Sequence, residues 1–167
     1  AWWRPVVLTV GLTTMVVAGV RAFRRQDLKV LLAHGTVSQL GFLVAVFGIG
    51  TDEAISAGTV MLVAHGLFKA SAFFAVGIVD HQFGTRHVDE LPRLPLFRDR
   101  TASGWLLSDR LAVAASASMA GIPLLLGFIA KEGAIRAVIH DAPPALAAVA
   151  VGSALTAGYS YRFAWGI

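Results

Sequence analysis

His65 and Lys69 stand four residues apart in "VAHGLFKASAFFAVGIVDH", residues 63–81, a stretch otherwise built almost wholly of apolar residues. That spacing puts both on one face of a helix. Imidazole and amine groups each bind and release a proton, so a row of them can pass one along. The plainer alternative is a buried His and Lys bonded to backbone carbonyls, with no part in transport. The energetics weigh towards the first: a Lys at the centre of a bilayer costs about 2.5–3.5 kcal/mol, and charges kept there mark ion or proton routes.

Lys131 closes "SMAGIPLLLGFIAK", in which Gly121, Pro123 and Gly127 all weaken helical hydrogen bonding. Broken membrane helices free backbone groups and flank substrate paths in transporters. Spacing alone leaves two readings of Lys131: a member of such a path, or a side chain that snorkels to the outer interface beside Arg136. Lys29, in "RRQDLKVLLAHGTVSQ", reads first as one more surface charge. His34, Thr36, Ser38 and Gln39 follow it and offer imidazole, hydroxyl and amide groups to a water-filled path. Asp27 is placed to cap a helix. Asp80, His81 and His87 read as loop residues rather than metal ligands. Met15, Met61 and Met119 read as apolar fillers. No phosphate-cradling glycine motif and no Ser/His/Asp order stands out. Neither a catalytic residue, a cofactor nor a metal is assigned.

These residues need long apolar elements around them. Of 167 residues, 56% are hydrophobic and only 14% charged, against about 25% charged in soluble domains; the mean hydropathy is +0.70. Cysteine is absent, which excludes disulfides and thiolate metal sites. A spanning helix needs about 20 mostly apolar residues. Runs of that kind fall at approximately 3–22, 29–50, 54–79, 104–139 and 143–164, the fourth starting somewhere in 104–111. None alternates as a barrel strand would. The expected fold is all-α: one polytopic transmembrane helix bundle over residues 1–167, with about five spans, one of them broken.

The charges orient it. Ten of the fourteen Lys and Arg residues fall on one side, chiefly in the first connection (Arg21, Arg24, Arg25, Lys29) and the third (Arg86, Arg93, Arg98, Arg100, Arg110). Two, Arg4 and Arg136, fall on the other, and two, Lys69 and Lys131, lie inside spans. The positive-inside rule then makes the loop at about 81–108 cytoplasmic and leaves Trp2 and Trp3 at the outer interface. The basic surface therefore needs no nucleic-acid partner. Pro92 and Pro95 make that loop a turn-rich connector. Ala1 at the start and "FAWGI" at the end read as an internal piece of a larger membrane protein.

Three blocks in order, "QDLKVLLAHGTVSQLGF", "HGLFKASAFFAVGIVDHQFGTR" and "SMAGIPLLLGFIAKE", closely resemble the large antiporter-like subunits. That family is shared by Mrp-type Na+/H+ antiporters and the proton-pumping arm of respiratory complex I. "GIVDHQFGTR" is most similar to the large MrpA-type subunits. The resemblance covers about residues 5–140 and implies a fragment holding the second of two five-helix repeats. It implies that Lys29, His65, Lys69 and Lys131 belong to a buried line of proton-carrying residues at the membrane midplane. It implies no cofactor, and as partners the other subunits of a membrane antiporter complex, the lipid bilayer, protons and Na+. The chain departs from the family where a frequent His is Met61, and where "AYSTVSQ" is "AHGTVSQ" with His34 and Gly35. The alternative implied function is a proton-translocating subunit of a complex I-like NADH dehydrogenase or membrane hydrogenase, with all redox chemistry in its partners.

Overall fold

The computed structural model describes residues 2–91 and 103–166, with the backbone alone for 103–108. Among the described residues six α-helices follow in order: α1 Trp3–Phe23, α2 Leu28–Ile49, α3 Asp52–Phe83, α4 Ser103–Ala120, α5 Leu126–Asp141 and α6 Leu146–Gly166. A 3-10 turn, Pro143–Ala145, leads into α6. Among the described residues the only extended pairing is one bridge between Asp27 and His87.

The helix limits follow local chemistry. Asp27 caps α2 by accepting from the Val30 amide at 3.0 Å, as expected. Gly50, at φ 75°, ends it. Thr51 caps α3 through the Ala54 amide, and Gly84, at φ 68°, closes α3 after its 32 residues. Glycine is suited to both ends because a left-handed residue there carries no Cβ penalty. α3 therefore overruns the expected 54–79 at both ends and takes in the first residues of the supposed loop. Hydropathy sees only the apolar centre, whereas the caps set the length. The Pro92–Pro95 connector lies outside the described residues.

Among the described residues, α1, α2 and α3 are long and apolar enough to cross a membrane. α4 and α5 are shorter, with 18 and 16 residues. The 21 residues of α6 are diluted by Thr156, Tyr159, Ser160, Tyr161 and Arg162. By length and composition, then, the all-α expectation stands, while the count of five spans reduces to three clear ones.

The outside of the bundle is apolar too. α3 buries Met61, His65, Phe68, Lys69 and Val76 on one face and leaves Leu62, Val63, Leu67 and Phe74 exposed on the other. A soluble helix would be polar there. α1 and α2 cross so closely that a Cβ on Gly41 would lie 2.6 Å from the Met15 nitrogen, the small-residue contact usual between membrane helices.

One end of the bundle is tied by charge. Arg86 donates to Asp27 at 2.8 Å and to Asp80 at 3.2 Å, and Arg162 donates to the Phe23 carbonyl and the Gln26 amide oxygen. Burial pushes the Asp27 carboxyl up, but the Arg86 hydrogen bond, the Val30 amide and the Arg86 charge together hold it below the usual carboxylate range. A carboxyl lowered in this way adds stability above its unfolded pKa, and that stability is lost as pH falls through the folded value. Asp27→Ala should cost about 1 kcal/mol at pH 7 as a lost cap. Thermal unfolding should show this gap to wild type narrowing below about pH 4, where the wild-type carboxyl also protonates.

Candidate functional site

The long α3 carries His65 and Lys69 into the packed interior, each 5% exposed. Lys69 Nζ donates to the Leu32 carbonyl of α2 at 3.2 Å and sits 5.6 Å from the centre of the Tyr159 ring of α6. Gly35 makes this arrangement possible: a Cβ there would come within 2.9 Å of Lys69 Nζ and 3.0 Å of the Tyr159 ring. The Tyr159 hydroxyl reaches the Gly35 carbonyl at 3.4 Å. His65 packs edge-on to Phe68, with ring centres 5.3 Å apart. Neither ring nitrogen of His65 has a hydrogen-bond partner among the described residues. A buried polar atom left this way costs about 1–3 kcal/mol, so the position is expensive.

The break before Lys131 lies between α4 and α5. Gly121 has φ 83°, and Leu124, at φ 76°, holds a conformation that branched side chains rarely adopt. Gly127 permits the two half-helices to touch: a Cβ there would stand 2.0 Å from the Ser118 carbonyl oxygen. Lys131, one turn further on, is half-buried and turns inward. Its side chain lies 3.6 Å from where a Gly121 Cβ would be, and it lines a small gap with Gln39 and Thr156. Arg136, beside which Lys131 would snorkel in the alternative reading, instead pairs with Glu132 at 2.7 Å on the exposed face.

His65 and Lys69 thus come to the packed interior and Lys131 lies half-buried at its edge, whereas Lys29 stays exposed in the first turn of α2. Several polar residues of the same interior belong to none of the sequence motifs: Ser116 on α4 and Thr156, Tyr159 and Ser160 on α6, all buried. A signal for them was present. Gly152, Thr156, Tyr159 and Phe163 recur at helical spacing along one face.

An apolar outside around an interior that keeps His65 and Lys69 defines a membrane helix bundle. Residues 1–156 match the transmembrane family described as NADH:quinone oxidoreductase/Mrp antiporter. The chain belongs to that family, and it is a multi-pass membrane protein. A probable K(+)/H(+) antiporter A/B subunit of Rhizobium meliloti is 39% identical over 99% of this chain and 16% of its own length. A Na(+)/H(+) antiporter A1 subunit of Staphylococcus saprophyticus is 34% identical over 96% of the chain and 22% of its own length. The Mrp complex from Dietzia sp. DQ12-45-1b contains a chain that superposes with a TM-score of 0.82 at 42% identity, over 96% of this chain and 18% of that one. The chain therefore spans about a fifth of these relatives.

Proposed function

We propose that this chain is part of a subunit that exchanges a monovalent cation, Na+, for protons within a multi-subunit membrane antiporter complex. In this reading residues 1–167 form one transmembrane unit of five spans, α4 and α5 together making the broken fourth. The basic connections face the cytoplasm. Protons pass along Lys29, His65, Lys69 and Lys131. The single observation that carries the reading is the buried pair on α3: His65 without a partner among the described residues, one turn from Lys69 in the bundle interior. Neither would be kept there for stability.

The family also contains redox-driven members, as its description says, so the second reading is a proton-translocating subunit of a complex I-like dehydrogenase or membrane hydrogenase. A gene deletion separates the two. Antiport predicts cells that become Na+-sensitive at alkaline pH while membrane NADH oxidation is unchanged. Lost NADH oxidation with normal Na+ tolerance would establish the second reading.

A further inference from the structure

The end of the bundle opposite the Arg86 ties holds the start of α1, the start of α3 and the turn between α5 and α6. A groove of about 610 Å³ opens there between α1 and that turn, within the usual range of a ligand site, about 300–1,000 Å³. Arg4 and Asp141 supply its charges, and Leu8, Leu12, Pro144 and Ala145 supply its apolar wall. Arg4, Leu8 and Leu12 are four residues apart on one face of α1. The groove therefore runs about 12 Å along α1, from a guanidinium to apolar side chains. Trp2 and Trp3, 83% and 42% exposed, stand beside Arg4. Exposed tryptophans settle at the level of lipid head groups, so the groove is graded in the same direction as one leaflet of a bilayer. Its two charges are held apart. The Asp141 carboxylate accepts from Thr51 Oγ1, the α3 cap, at 2.8 Å and pairs with His140 Nδ1 at 2.9 Å. A carboxylate has about four lone-pair sites, so acceptor capacity is left over. Arg4 has no ion-pair partner among the described residues. A wholly anionic head group would meet Asp141 here, and a wholly cationic one would meet Arg4. The head group that suits both carries a phosphate and an ammonium.

We infer that this groove binds one phospholipid with a primary-amine head group: its phosphate on the Arg4 guanidinium, its ammonium on the Asp141 carboxylate, and one acyl chain along Leu8 and Leu12. A guanidinium matches phosphate oxygens with two parallel N–H donors. The ammonium donates N–H groups to Asp141, which the trimethylammonium of a choline lipid lacks, so the site separates the two zwitterions. The bound lipid joins α1 to the α5–α6 turn, and through Asp141 and Thr51 to the start of α3. The inference is independent of the proton reading and needs only that the chain sits in a bilayer.

The test uses the intact complex in nanodiscs made from equal parts of phosphatidylethanolamine, phosphatidylcholine and phosphatidylglycerol. Electron cryomicroscopy should show a head group between Arg4 and Asp141 and acyl density along Leu8 and Leu12. Native mass spectrometry of the complex released from the discs should find one more retained phosphatidylethanolamine on the wild type than on Arg4→Gln. Titration with that lipid should show its affinity reduced about tenfold in Arg4→Gln, the order of effect of one lost hydrogen bond to a charged group. Asp141→Asn should lose the preference for phosphatidylethanolamine over phosphatidylcholine. Equal retention by wild type and Arg4→Gln, a preference for phosphatidylcholine or phosphatidylglycerol in the wild type, or a protein helix in the groove overturns the inference. If either variant does not assemble, the density in the wild-type groove decides.

Discussion

Lys69→Leu should leave the assembled complex at least as heat-stable as wild type while cutting Na+-driven proton movement by about a hundredfold or more. The first half follows from what Lys69 touches. Its one hydrogen bond goes to the Leu32 carbonyl, which also accepts from Thr36 Oγ1 at 2.9 Å and keeps that bond in the variant. Leu fills a similar volume among Leu32, Phe68 and Tyr159 without bringing a charge into the bundle, and replacing buried charges by apolar groups is often neutral or stabilising. The second half follows from the chemistry: a positioned proton donor or acceptor contributes about 10²–10⁴-fold to a rate, and Leu supplies neither. Melting of the purified complex reads the first and a pH-sensitive dye in vesicles reads the second. Wild-type transport in Lys69→Leu would make Lys69 a structural residue.

The second large effect belongs to the break. Gly127→Ala adds a single methyl, but it would lie 2.0 Å from the Ser118 carbonyl oxygen and 2.8 Å from the Ser118 carbonyl carbon. Those are backbone atoms on α4 and do not rotate away, so α5 must shift as a body. Overpacking of this kind costs about 1–3 kcal/mol, and the rigid oxygen puts this case at the upper end. The shift also carries Lys131, one turn along α5, away from Gln39 and Thr156. Gly127→Ala should therefore lower both the melting temperature and the exchange rate. Gly133→Ala on the same helix is the matched control. Its added methyl meets only the Ala57 Cβ at 3.5 Å, an ordinary contact, and its effect should stay within about 0.5 kcal/mol.

The residues that could be read from sequence are those whose cost does not depend on a partner. His65 and Lys69 announce themselves because any membrane helix that carries them is penalised, whatever packs beside it. The break at Gly121–Gly127 is likewise local, a matter of missing backbone bonds and positive φ. The Asp27 cap needs only the Val30 amide three residues away. What could not be read depends on tertiary packing. Tyr159 looks like one more aromatic until α6 sets it against Lys69. Gly35 looks like a departure from a motif until its missing side chain is seen to be the space that both occupy. Lys131 stays divided between surface and interior on spacing alone, because the direction of α5 after the break is set by the Gly127–Ser118 contact, nine residues apart. Lys29 is exposed on the described surface, so its place in a proton line depends on what covers that side of α2.

The most direct test of antiport is a Na+ step applied to vesicles that hold the intact complex, with no electron donor present and the internal pH followed continuously. Antiport predicts immediate proton movement opposite to the Na+ flow, and none after Lys69→Ala at equal amounts of assembled complex. Proton movement that begins only when NADH or another reductant is added would contradict it.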